Sequence, residues 1–469
     1  MRQNFARFSN TVGRFRLRLL RHIYLCKLQV MVGINYSILF IWIQYFSTLF
    51  ILCKYPALSL AFLFTVRYTE SIISASNPCT ISLNGGHIVK RFRTCVIGVG
   101  FIGAAHIEAL RRLGNVDVVA IADIPNAAAK AEAFCVPKGY DDYKEMLDTE
   151  KPDVVHICTP KSSHYEMAMY AMERGISVVC EKPLTKTLDQ ARELAAYARE
   201  HNIVTGVNFN CRWYPQVMQA KAMVDSGEVG NIYTVHGAYL QDWLYYDTDY
   251  SWRLEPEMSG DSRAFADIGS HWIDMVESVT GLRAVEVFSD FETFHKTRKK
   301  PLKPIDTYSG MALRPEDYQE IPIETEDYCT VLFRFDNGAH GVCTISQVFA
   351  GRKNQILMEI GGSKCALHWD SEDSNELWIG RRDAFNQKAP KDPSILSKLS
   401  AASISYPGGH VEGFPDTFKQ NFKAIYSAIE RGDTSRGLFA NFEDGLREMV
   451  LCDAVVRSAR EGRWVKVGE

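Results

Sequence analysis

Residues 1 to 69 contain no aspartate or glutamate, although Arg2, Arg7, Arg14, Arg16, Arg18, Arg21, Lys27, Lys54 and Arg67 stand there. That stretch therefore carries +9, and the remaining 44 Lys and Arg against all 56 acids leave the rest at −12. Charge of either sign is missing from Leu28 to Cys53, 26 residues that are long enough to cross a bilayer as a helix. A second apolar run, Tyr55 to Val66, is too short to cross alone, and the basic flank before Leu28 would sit on the cytoplasmic side. One crossing would place all that follows outside the cytoplasm, whereas a hairpin of both runs would return it. Three readings stay open for this extension: a membrane anchor, a cleaved targeting segment, or a translated upstream stretch that is no part of the working protein. An Arg-rich opening without acids suits a transit peptide, but so long an apolar run does not.

Other absences narrow the function. The twelve cysteines include no CxxC and no ligand-like spacing, which argues against a disulfide framework and against a zinc site. Cys95, Cys158 and Cys180 lie inside apolar runs and read as small buried hydrophobes, at home in the reducing cytoplasm. No paired-metal spacing joins the histidines to acids, so no metal is expected. There is no repeat, no low-complexity tract and no basic stripe, which leaves nucleic acid out as a partner and the membrane in only through the extension. A chain of 469 residues exceeds one ordinary core, and 46% hydrophobic with 23% charged residues suits an α/β protein of two domains plus the extension.

What is present begins near residue 91. TCVIGVGFIGAAHIEALRR is an apolar strand, a glycine turn and a helix, with Gly98, Gly100 and Gly103 in GxGxxG spacing. The first glycine permits a tight turn, the second lets backbone approach a pyrophosphate, and the third lets helix pack on strand. Phe101 and Ile102 fall within that turn. The next strand, VDVVAIAD, ends at Asp123, twenty residues beyond Gly103, where a carboxylate can accept both hydroxyls of an adenosine ribose. Ile124 and Pro125 follow, with no arginine to offset a 2′-phosphate, so NAD is expected in preference to NADP. Strands DVVHICTP, SVVCEKP and IVTGVNFN alternate with helices, as in a doubly wound parallel sheet. Ligands of such sheets lie beyond the carboxyl ends of the strands, which points to Thr159 and Pro160, with His164 opening the next helix, and to Glu181, Lys182 and Pro183.

These segments, VIGVGFIG, CTPKSSH, CEKPL and DIGSH with a following aspartate, resemble the glucose-fructose oxidoreductase and inositol dehydrogenase family (Gfo/Idh/MocA) over roughly residues 91 to 469. The resemblance implies an N-terminal Rossmann domain and a C-terminal α+β domain with an open, mainly antiparallel sheet that often mediates oligomerisation. It also implies hydride transfer to or from carbohydrates and cyclitols. Lys182 matches the family lysine beside the nicotinamide and the reacting hydroxyl; Asp267 and His271 match its catalytic aspartate and histidine. The expected organisation is an extension over 1–90, an NAD-binding domain over 91–212 and a substrate and oligomerisation domain over 213–469. A homo-oligomer, dimer or tetramer, is implied, with a small carbohydrate or polyol as substrate.

The residues themselves allow the same chemistry. In FADIGSHWID, Asp267, His271 and Asp274 stand at offsets of four and three, which would align them on one face of an α-helix. An imidazole titrates near neutral pH and suits a general base; a lysine can polarise the oxygen. Taken singly, Asp267 could be a helix cap and His271 a core histidine. Asp274 suits a supporting role. Arg212, Asp242, Trp243, Trp252, Arg253, Gln347, His410 and Glu412 are the side chains suited to bind a polyol. Two other classes remain: an NAD-using glycosidase, which would consume a glycoside without accumulating NADH, and a noncatalytic NAD-binding sensor, against which the intact EKP and DxGxH argue. Because the strand, turn and helix unit starts near Arg91, a chain beginning at residue 88 is expected to stay soluble and bind NAD. Aggregation of that shortened chain, with rescue by detergent only when residues 1–87 are restored, would contradict this.

Overall fold

The computed structural model describes residues 90–303, 314–435 and 437–469. The Leu28 to Cys53 segment lies outside the described residues, and among the described residues no helix is long and apolar enough to cross a membrane. Val89–Glu469 form one compact unit.

Six parallel strands open it: β1 (Phe92–Ile97), β2 (Val116–Ala122), β3 (Gly139–Tyr140), β4 (Val154–Ile157), β5 (Ser177–Cys180) and β6 (Thr205–Val207). Their order, β3-β2-β1-β4-β5-β6, is the doubly wound order of dinucleotide-binding sheets. All of β4 and nearly all of β1 and β5 are buried, as continuous Val, Ile and Cys runs require when helices cover both faces. The intervening helices are α1 (Phe101–Leu113), α2 (Ala127–Ala133), α3 (Tyr143–Glu150), α4 (His164–Met172) and α5 (Leu188–Glu200), the last begun by a Thr187–Gln190 capping box.

After α6 (Pro215–Asp225) comes a second, nine-stranded sheet. It is built from β7 (Ile232–Leu240), β8 (Ala284–Glu292), β11 (Tyr328–Phe335), β12 (His340–Ser346), β13 (Gln355–Gly362), β14 (Ala366–Asp370), β15 (Glu376–Gly380), β16 (Gln387–Pro390) and β17 (Val465–Lys466). The order is β16-β15-β14-β13-β7-β12-β11-β8-β17, and of these pairings β12 with β7 is the parallel one. β11 shows why only one face is covered: Cys329, Val331, Phe333 and Phe335 are buried and alternate with exposed or half-buried residues. The covered face packs against α6, against α7 (Ser270–Thr280) through Trp272, Ile273 and Val276, and against Leu451 and Val455 of the last long helix. A separate hairpin, β9 (Thr297–Pro301) with β10 (Tyr318–Pro322), stands beside this sheet.

The last two long helices tie the sheets together. Phe418, Phe422, Ile425 and Tyr426 of α8 (Phe414–Arg431) pack on the first sheet, although they follow the second in sequence. α9 (Phe442–Glu461) sends Phe442 and Met449 into the core beside α5 and Leu451 and Val455 into the core of the second sheet. Backbone joins them too, since the Val207 N–H donates to Ala440 O at 2.8 Å. Phe422 is fully buried at this junction. Its replacement by alanine is expected to destabilise the fold by about 3 to 5 kcal/mol, the usual cost of emptying a buried phenylalanine site. A calorimetric melting temperature within about 1 °C of wild type would show that α8 is not part of the core.

Candidate active site

The glycine turn between β1 and α1 is shaped by what it cannot hold. Gly98 has φ +83°, and a Cβ there would lie 2.9 Å from the Thr159 methyl; a Cβ on Gly103 would lie 2.0 Å from Gly98 O. A Cβ on Gly100 would meet nothing within 4 Å, so the turn is open on the side where α1 begins. No side chain caps α1 and no acid stands in its first turn, which leaves its N-terminal amides and positive dipole end for an anion. Asp123, at the end of β2, accepts from the Val99 and Ile124 amides, both at 2.7 Å. Such a cradle fits a dinucleotide: pyrophosphate over Gly100 and the α1 amides, ribose hydroxyls at Asp123. The reading that no cation attends Asp123 is corrected here. Lys130 Nζ lies 3.0 Å from its Oδ2, because α2 carries that lysine back over the end of β2.

Beyond β5, Lys182 Nζ donates to Asp267 O at 2.7 Å and to Asp267 Oδ1 at 3.0 Å. Arg253 Nε and Gln347 Nε2 also donate to Asp267, at 3.2 and 3.0 Å. Burial alone would raise the Asp267 carboxyl, but Lys182 and Arg253 bring it well below the usual carboxylate range. His271 follows on the same segment, with its ring edge-on to Phe209 at 5.6 Å. Its Nδ1 is buried without a hydrogen-bond partner. Burial first, and then the Lys182 charge, push the imidazole down to about 3, so it is neutral at physiological pH.

The local backbone differs from the expected α-helix. Phe265–Gly269 form one turn of π-helix that runs into α7, so Asp267 and His271 are not related by α-helical geometry. Glu326 fixes where this widened turn starts by accepting from the Arg263 and Phe265 amides and the Ser262 hydroxyl. π-turns are rare and concentrate at functional sites.

Of the other side chains singled out in the sequence, Arg253 reaches this cluster, and its guanidinium lies over the Trp252 ring at 4.6 Å and toward Trp243 at 5.9 Å. Phe101 stands exposed at the rim of the glycine turn, and Ile102 is half-buried beside it. Thr159 and Pro160 lie after β4, where the Thr159 hydroxyl accepts from Ser163 at 2.8 Å. Several others are engaged elsewhere. Both ring nitrogens of His164 face carbonyls, Pro183 O at 3.1 Å and Thr159 O at 2.7 Å, so it braces the two loops rather than reaching a ligand. The Glu181 carboxylate turns inward to His106 Nε2 at 3.0 Å and Asn208 Nδ2 at 2.6 Å; against the effect of burial, His106 and Lys182 bring it down to about 2. Arg212 is buried and grips Asp274 with two hydrogen bonds of 2.7 and 2.5 Å, which occupies both side chains. Asp242 binds Lys353 and the Gly351 amide. His410 is exposed and bonded within its own loop, and Glu412 is buried against Lys391. His106 and Asn208 were missed because each acts through Glu181, far away in sequence, and Lys130 because only the fold of α2 over the end of β2 brings it to Asp123.

A groove of about 700 Å³ lies among Asp148, Lys151, Asp153 and Arg174. It opens beside the amino ends of β4 and β5, the edge opposite to that at which such sheets bind dinucleotides. Among the described residues no cluster of His, Cys, Asp and Glu is arranged to hold a metal ion.

Comparison with known proteins agrees with this geometry. Residues 92–209 match the model of an oxidoreductase family with an NAD-binding Rossmann fold, and residues 217–368 match the GFO/IDH/MocA C-terminal domain. The chain is 30% identical over 396 residues to levoglucosan dehydrogenase of Pseudarthrobacter phenanthrenivorans, covering 79% of this chain and 97% of that protein. A levoglucosan dehydrogenase structure in complex with NADH superposes with a TM-score of 0.73 at 27% identity, covering 81% of this chain and all of the other. An oxidoreductase domain protein from Kribbella flavida gives a TM-score of 0.73 at 30% identity over 81% of this chain and all of its own. With the cradle, the two sheets and these matches in place, the chain belongs to the Gfo/Idh/MocA family of NAD-dependent oxidoreductases.

Proposed function

We propose that the chain transfers hydride between NAD and a secondary alcohol of a sugar, sugar derivative or cyclitol, with Lys182, Asp267 and His271 as its catalytic residues. The observation that carries this reading is the largely buried Lys182–Asp267 pair beside a histidine that burial and the Lys182 charge hold neutral. Bound NAD supplies the hydride acceptor at the carboxyl ends of the first sheet. His271 takes the hydroxyl proton. Lys182 gives two hydrogen bonds to Asp267, and an ammonium has three donors, so one remains to polarise the substrate oxygen. Arg253, flanked by Trp252 and Trp243, presents a cation and aromatic faces of the kind that bind a pyranose. The substrate named for the levoglucosan dehydrogenases, an anhydrosugar, belongs to this class. The exposed Tyr233, Val285 and Leu332 on strands of the nine-stranded sheet support a homo-oligomer, and the nine unpaired cysteines among the described residues support a reducing, cytoplasmic setting.

Absorbance at the NADH band across aldoses, inositols, anhydrosugars and disaccharides tests the activity. Consumption of a disaccharide without net NADH would mean the glycosidase chemistry instead. His271→Ala is expected to lose about two to four decades of turnover, the usual cost of removing a general base, while its NAD dissociation constant stays near wild type. Near-normal turnover with a lower melting temperature would make the histidine a packing residue. The same group sets an acid limb of stability. Its folded pKa, about 3, is below the ordinary 6.5, so its contribution is complete above about pH 6.5 and is lost as pH falls toward 3. His271→Ala should flatten the fall of melting temperature across that window.

For the cofactor, Asp123→Ala should weaken NAD by about 1 to 3 kcal/mol through loss of charge-assisted hydrogen bonds. Lys130→Ala should widen the preference for NAD over NADP, because it removes the cation at Asp123. A ratio of NADH to NADPH dissociation constants unchanged from wild type in both variants, read by fluorescence, would exclude this subsite from the selection.

A further inference from the structure

Behind Asp267 lies a line of buried polar side chains that touches neither cofactor cradle nor solvent. Gln347, fully buried, donates from Nε2 to Asp267 Oδ2 at 3.0 Å and accepts at Oε1 from an Arg263 guanidinium nitrogen at 3.0 Å. Arg263 donates in turn to Asp327 Oδ1 at 2.5 Å. The same oxygen accepts from Arg298 at 2.9 Å, and the side chains of both arginines and of Asp327 are wholly buried. The two terminal nitrogens of Arg298 also donate to the loop after β7, to Leu244 O at 2.8 Å, Tyr246 O at 2.7 Å and Asp249 O at 3.3 Å, while its Nε is buried without a partner. That loop runs on to Trp252 and Arg253.

The direction of these hydrogen bonds is forced. A guanidinium only donates, so Arg263 fixes the Gln347 carbonyl toward itself and the NH2 toward Asp267. An amide N–H in that place rewards a carboxylate that only accepts. Asp327 thus holds both ends of the site, the orientation of Asp267 through Arg263 and Gln347, and the loop bearing Arg253 through Arg298.

We propose that Asp327, Arg263, Arg298 and Gln347 form a positioning bracket, in which the Gln347 arm keeps Asp267 aimed at Lys182 and the Arg298 arm keeps the loop after β7 in place for the substrate. This rests on the reading of Asp267 as catalytic. The two arms predict different kinetic defects, which a generally softened fold would not produce.

The test compares Gln347→Leu, Gln347→Glu, Arg298→Lys and Asp267→Asn in the full chain, using NAD and the best sugar of the panel. Gln347→Leu should lower kcat by about 100-fold with KM for the sugar changed less than threefold, the order of loss expected when a reacting group is misplaced by about 1 Å. Gln347→Glu, of the same shape, puts a second carboxylate against Asp267. The groups facing Asp267 otherwise are Lys182, Arg253 and His271, with Lys161 nearby. Two carboxylates in contact share a proton until it is titrated away, so the acid limb of the kcat profile should move to higher pH. Arg298→Lys keeps the charge but loses loop carbonyls, and should raise KM for the sugar by about tenfold with kcat within threefold of wild type, the pattern of lost uniform binding. NADH affinity, read by fluorescence, should stay at wild type in all four. Wild-type kcat and pH profile in both Gln347 variants would overturn the bracket, as would equal effects of Arg298→Lys on kcat and KM. Loss of the folded state in both Gln347 variants would make the line a structural brace only, and so overturn it too. Near-normal turnover in Asp267→Asn would instead sink the reading of the site itself, and the bracket with it. Loss of turnover there alongside wild-type Gln347 variants would sink the bracket alone.

Discussion

A lysine and an aspartate held together largely out of water, Lys182 and Asp267, are the constraint around which the rest of this site is arranged. Removing two charges from water costs several kcal/mol per ion, and their attraction offsets this only if the remaining donors and acceptors are also met. Here Asp267 receives Lys182, Arg253 and Gln347, one donor from each of three chain segments. Those donors come from the turn after β5, the loop after β7 and the end of β12. The pair therefore needs both sheets in register with each other, and α9, which sends side chains into the cores of both, supplies that register. A widened helical turn at Phe265–Gly269 lets Asp267 give both its carbonyl and its carboxylate to one ammonium.

The effect on His271 follows from the same charges. A dry environment first, and then Lys182 nearby, disfavour a second cation, so the imidazole is held neutral. The neighbouring Glu181 is kept from competing for Lys182 by His106 and Asn208, which take its carboxylate into the core of the first sheet. The EKP turn so combines an anchor, Glu181, with a working group, Lys182. Fold and chemistry are coupled within two residues.

Much of this was legible in the sequence, for physical reasons. The first sheet showed itself because its strands are buried on both faces and read as apolar runs, and because GxGxxG with Asp123 has a spacing set by the cofactor. β11 to β15 were legible from alternation and turn residues. β3 is two residues long, and β8 carries Glu286, Ser289 and Asp290 among its apolar positions, so neither gave a period. The hairpin β9–β10 has one Ile among Lys, Arg, Gln and Glu. In the site, Lys182, Asp267 and His271 were singled out from their motifs, but their partners depend on tertiary contacts. Arg212 looked like a substrate ligand until Asp274, 62 residues on, was seen to bind it. Lys130 and Arg263 were invisible because only the folded chain brings them to Asp123 and Gln347.

The central claim is that burial, with the Lys182 charge beside it, holds His271 neutral as the proton acceptor. The most direct measurement is the NMR titration of the His271 ring nitrogens, assigned by comparison with His271→Ala. The account predicts no protonation between about pH 8 and pH 5, the range in which an unperturbed histidine titrates, with a midpoint near 3. A midpoint close to 6.5 in the folded enzyme would contradict it.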